Sequence, residues 1–64
     1  MEKYQIIAGP DKRDRVTVRR ASDGWTARCK LGWLEPDEET EGLYEAKDKT
    51  KAIRMDDLEW RQKG

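Results

Sequence analysis

At 64 residues the chain has room for a single small domain, 1–64, and a domain of this size buries only about 60% of the surface its unfolded form exposes, so few residues must make the core. Hydrophobic residues are 34% and charged residues 44%, but 14 Lys and Arg balance 14 Asp and Glu, and three Trp and two Tyr supply large areas for burial, which together favour a folded chain over a disordered one. One cysteine excludes an intramolecular disulfide, the absence of histidine removes the commonest metal ligand and neutral-pH proton carrier, and no stretch reads as a signal peptide or membrane span.

The first predicted element is a short strand in which Tyr4, Ile6 and Ala8 alternate, closed by a turn at Gly9, Pro10 and Asp11. A second strand spans Arg15 to Arg20, with Val16 and Val18 on one face and Arg15, Thr17 and Arg19 on the other. Ser22, Asp23 and Gly24 make a hairpin turn with two registers open. Central residues Asp23 and Gly24 would put Val18 opposite Cys29, and central residues Ser22 and Asp23 would put it opposite Ala27. From Trp25 to Trp33 the alternation is unbroken, with Trp25, Ala27, Cys29, Leu31 and Trp33 on one side and Thr26, Arg28, Lys30 and Gly32 on the other. This period of two predicts a third, half-buried strand. Cys29, on the apolar side, reads as a small buried hydrophobe.

An acidic loop follows from Glu35 to Glu41, with Pro36 barred from any central strand. Leu43 and Tyr44 begin another short strand, and Lys47 to Thr50 form a polar turn. The last segment has two readings. On a helix, Ile53 and Trp60 would share a face with Asp57 beside them, while Met55 and Leu58 would point nearly opposite. The preferred reading is therefore strand from Lys51 to Met55, a 3₁₀ turn at Asp56 to Leu58, and strand from Glu59 to Gln62. Asp48 or Thr50 as an N-cap and Gly64 as a stop keep the helical alternative open.

With the preferred reading the fold class is mainly β, a small antiparallel barrel or bent sheet. On Asp14-Arg15-Val16-Thr17-Val18, Asp23-Gly24-Trp25 and Ile53-Arg54-Met55-Asp56-Asp57-Leu58-Glu59 the chain resembles the SH3-like small barrels of Tudor and KOW type, from roughly Arg13 to Arg61. The resemblance implies a binding module that is not an enzyme. With the helical alternative the fold is α+β, a three- or four-stranded sheet plus C-terminal helix. That form resembles the small DNA-binding domains at integrase N-termini, with Trp25-Thr26-Ala27-Arg28 on the strand that enters the groove.

The polar face of the predicted hairpin carries most of the functional content: Arg15, Thr17 and Arg19 beside Thr26, Arg28 and Lys30, with no acid among them. Like charges on neighbouring strands repel, so such a face calls for an anionic partner, such as a nucleic-acid backbone, or for an acidic segment of the same chain. Lys12 and Arg13 extend it. The internal alternative is concrete. Residues 1–34 hold 8 basic and 4 acidic residues, a balance of +4, and residues 35–64 hold 6 basic and 10 acidic, a balance of −4, so the acidic loop could cover the hairpin. A second surface, Trp33 and Tyr44 beside the acidic loop, is the candidate for a protein partner. An unpaired edge strand would permit a homodimer. No catalytic residues, metal ligands or cofactor are expected, since no phosphate loop or nucleophile with a base is present and adjacent acids such as Asp56 and Asp57 are usually solvated. The expected location is cytoplasmic, away from membranes, and the size and charge density resemble those of phage and mobile-element accessory proteins.

Overall fold

The computed structural model describes residues 2–62. It is mainly β, with five antiparallel strands in one open sheet and one helix near the C-terminus. The strands are β1 (Tyr4–Ala8), β2 (Arg15–Arg20), β3 (Thr26–Lys30), β4 (Leu34–Pro36) and β5 (Tyr44–Ala46), followed by α1 (Lys49–Asp56). Their order across the sheet is β3-β2-β1-β5-β4, so β1 is the central strand. The sheet is not closed into a barrel by strand pairing. After α1 the chain returns to the β3 edge, where Thr26 and Arg61 exchange backbone hydrogen bonds at 2.9 and 2.8 Å.

Of the two hairpin registers, the structure adopts the one centred on Ser22 and Asp23, with Val18 opposite Ala27 and Val16 opposite Cys29. The turn is held by the Asp23 carboxylate, which accepts from the Trp25 amide at 3.0 Å and from the Arg20 guanidinium at 2.5 and 3.0 Å. Period-two patterning then delivers Val16, Val18, Ala27 and Cys29 to the core, where they meet Tyr4, Leu34 and Met55.

Three sequence expectations are corrected. Ala8 does not continue the inner face of Tyr4 and Ile6: the register shifts between Ile6 and Ala8, and this bulge pairs Ala8 with Thr17 on the outer face. The third strand stops at Lys30 rather than Trp33, because residues Leu31–Trp33 wind into one 3₁₀ turn that swings the chain across to β4. Residues 49–56 are α-helical, not a strand, and the only 3₁₀ segment among the described residues is the one at Leu31–Trp33 rather than near Leu58. The helical-face argument failed because it counted Leu58 and Trp60 as helix residues. The helix ends at Asp56, leaving both to turn back independently, and it buries Met55 while exposing Ile53. Its N-cap is Asp48, whose side chain accepts from the Lys51 amide at 2.8 Å. Gly64, weighed as a helix stop, lies outside the described residues. Pro36 sits in β4, an edge strand, as its missing N–H requires. No helix among the described residues is long and apolar enough to cross a membrane.

The loop between β1 and β2 sets where the hairpin's charged face begins. Asp11 anchors it, accepting from the amides of Arg13 at 2.8 Å and Arg15 at 3.1 Å. Gly9 enters the loop with φ of +90°, and a Cβ there would lie 2.7 Å from the Arg15 carbonyl oxygen and 3.2 Å from the Val16 Cα. Both the backbone angle and the closeness of another strand's main chain exclude a side chain. Gly9→Ala is therefore expected to cost about 1–3 kcal/mol, read as a lower urea midpoint. A midpoint equal to that of the parent protein would show that the loop relaxes without loss.

Candidate functional site

The six polar residues predicted from the hairpin lie together on the outer face, as three cross-strand pairs: Arg15 with Lys30, Thr17 with Arg28, and Arg19 with Thr26. Arg15, Arg28 and Lys30 are exposed, and Thr17, Arg19 and Thr26 are half-buried. Alternation places them there, since their neighbours in sequence fill the core. Counter-charge on this face is sparse. Arg28 pairs with Asp11, and Arg19 donates to the neutral Gln5 side chain at 2.9 Å. Arg15 and Lys30, directly opposite each other, have no ion-pair partner among the described residues.

Hydrogen bonds from the Arg15 and Arg13 amides, with the Arg28 charge, hold the Asp11 carboxyl below its ordinary range, and the Arg20 guanidinium does the same for Asp23. Both groups contribute stability above their unfolded pKa and lose it as pH falls through the lowered folded value.

The acidic loop does not cover this face through any ion pair seen among the described residues. It is tied instead to the residue just before β1, where the Lys3 ammonium lies 3.2 Å from the Asp37 carboxylate and 2.9 Å from that of Glu45 in β5. Asp37 is 8% exposed. Burial pushes its carboxyl up, but the Lys3 hydrogen bond and the Glu39 amide outweigh this and leave it below the ordinary range.

One residue that sequence reasoning did not select joins the face. Arg61 is carried to the β3 edge by the backbone pairing with Thr26, and with Glu59 it borders an open depression of about 440 Å³ lined also by Thr17, Thr26, Ala27 and Arg28. Its place depends on the return of the chain after α1, which no local pattern encodes.

The aromatic candidates are not brought together. Tyr44 pairs with Pro36 at one end of the β4–β5 ladder, whereas the Trp33 carbonyl accepts from the Lys47 amide at the other. Both side chains are half-buried and pack on the core, and Trp33 is flanked by the Lys51 and Arg54 cations, each 5.9 Å from its ring. Trp25, placed by the alternation on the apolar side of the third strand, is the most exposed of the tryptophans at 37%. It precedes β3 at the hairpin turn, beyond the residues that α1 covers, and its ring has the Arg20 guanidinium 5.8 Å away. Cys29 is buried, and burial pushes its thiol up to about 11. Among the described residues no group of three or more acidic or cysteine side chains is placed to hold a metal ion.

The chain matches no family model, and neither the characterised proteins nor the solved structures include one significantly similar to it.

Proposed function

We propose that this protein is a small non-enzymatic binding module that docks a nucleic-acid backbone on the outer face of the β2–β3 hairpin, as an accessory protein of the cell interior. The observation that carries this reading is the Arg15–Lys30 pair: two exposed cations held directly opposite each other with no acid to separate them. That arrangement costs energy in the free protein and is relieved by phosphate. Arg19, Arg28 and Arg61 extend the positive surface along the strands, and the Thr17 and Thr26 hydroxyls supply hydrogen bonds to phosphate oxygens. The antiparallel sheet whose terminal segment returns to β3 supports relation to the SH3-like modules, while the sheet-plus-helix composition supports the integrase-type comparison. In the integrase-type comparison the same hairpin meets the nucleic acid.

The test is fluorescence anisotropy with labelled single- and double-stranded oligonucleotides over a range of salt. Four phosphate contacts predict a slope of about −3.6 in log affinity against log salt for duplex. Changing Arg15, Arg19, Arg28 and Lys30 together to Ala should abolish binding without loss of fold, and retained binding in that variant would sink the reading.

A further inference from the structure

A cavity of about 410 Å³ opens between the start of β1, the β4–β5 ladder and α1, with Tyr4, Ala46 and Ala52 among its walls. Five acidic residues, Glu2, Glu35, Glu45, Asp48 and Asp56, also line it, with Lys47 and Lys49. Three of these acids are engaged elsewhere. Glu2 accepts from the Ser22 hydroxyl at 2.5 Å, Glu45 from Lys3 at 2.9 Å, and Asp48 from the Lys51 amide at 2.8 Å. Glu35 and Asp56 form no ion pair among the described residues, and Glu35 stands opposite Glu45 across the β4–β5 pair.

An acidic rim is by itself only a solvated surface, and the second feature is Tyr4. This residue is 2% exposed and lines the cavity, yet its hydroxyl makes no hydrogen bond with the described residues. Buried tyrosine hydroxyls ordinarily find a partner. Among the described residues no side-chain polar atom is both sealed from solvent and unpaired, so the Tyr4 hydroxyl keeps contact with solvent, and Tyr4 lines this cavity. Burial, and then the charges of Asp56 and Glu2, push it up to about 12, which keeps it protonated at neutral pH. A neutral hydroxyl presents lone pairs to an incoming N–H, and its own proton can point to a carboxylate.

The geometry points to this cavity as a receptor for a lysine side chain presented by a protein partner, its ammonium meeting Glu35, Asp56 and the Tyr4 hydroxyl while its methylenes lie against Ala46 and Ala52. The long aliphatic stem and charged head of lysine suit walls that combine apolar and acidic residues. None of the six hairpin residues lines this cavity, so the site stands or falls separately from the nucleic-acid face.

The experiment is an amide-shift NMR titration of the whole protein with the blocked peptide acetyl-Gly-Lys-Gly-amide, compared with the same peptide acetylated on the lysine nitrogen. The charged peptide should shift the Tyr4, Ala46 and Ala52 amides saturably, and the acetylated one should not. Glu35→Gln combined with Asp56→Asn should weaken binding roughly tenfold. Tyr4→Phe, which removes a hydroxyl that holds no protein partner, should weaken it by about threefold or more while leaving the urea midpoint in place. Equal shifts with the acetylated peptide, equal shifts at Glu38 and Glu39, no shifts at all, or full affinity in Tyr4→Phe would each overturn the proposal.

Discussion

Met55→Ala is expected to lower stability by about 2–5 kcal/mol, the range for truncating a fully enclosed large side chain. Met55 is 0% exposed and is the only buried residue of α1, so the helix is fastened to the sheet mainly through it. A domain of this length is stable by only about 3–10 kcal/mol, which makes such a loss a large fraction of the whole. The contrast is two residues away, on the opposite side of the same helix. Ile53 is 64% exposed, and Ile53→Ala should change stability by no more than about 0.5 kcal/mol. Met55→Leu, which keeps the volume, should cost less than about 1.5 kcal/mol. Urea denaturation measures all three. Alkylation of Cys29 gives a second reading, because its thiol is buried and pushed up to about 11, and reacts only when the core opens. Faster alkylation in Met55→Ala than in Ile53→Ala is the expected result, and equal midpoints would show that α1 is not fastened in this way.

Trp60→Ala should be comparably severe, at about 3–5 kcal/mol, although Trp60 lies outside every helix and strand. Its ring stacks on Tyr4 with centroids 5.8 Å apart and planes 13° from parallel, its Nε1 donates to the Met55 carbonyl at 2.8 Å, and the Arg20 guanidinium lies 4.5 Å from its centroid. One side chain thus joins the central strand, the end of the helix and the hairpin turn. Trp60→Phe separates the contributions. It keeps an aromatic face for Tyr4 and Arg20 but loses the indole N–H, which leaves the Met55 carbonyl to water, so about 1 kcal/mol should be lost. Circular dichroism during urea denaturation follows both variants. If Trp60→Ala unfolds no earlier than Trp60→Phe, the stacked ring contributes nothing and the fold is held elsewhere.

The hairpin was legible because its information is local. Alternation sets the two faces of β2 and β3, and once Ser22 and Asp23 occupy the turn, every cross-strand pair follows, including those of the candidate interface. The C-terminal third was not, for a reason visible in its residues. Asp48 announced a helix start, but nothing as clear announced its end at Asp56, and a face drawn through Leu58 and Trp60 condemned a helix that includes neither. The bulge after Ile6 was hidden in the same manner, since Ile6, Ile7 and Ala8 are all apolar and the pattern carries no mark of the extra residue. Arg61 and the Tyr4 cavity are products of long-range return. Their walls come from segments far apart in the chain, and only the order β3-β2-β1-β5-β4 brings those together.

The tether from Lys3 to Asp37 and Glu45 keeps the acidic loop on the β5–β4 side of the central strand, away from the hairpin. The protein's zero net charge therefore conceals a dipole lying across the sheet. A neutral body is not pulled by a uniform field, but a dipolar one is turned by it. Beside a polyanion this protein would rotate hairpin-first before touching, so that salt, which shortens the reach of that field, would slow correctly oriented arrival as well as weaken the bound state.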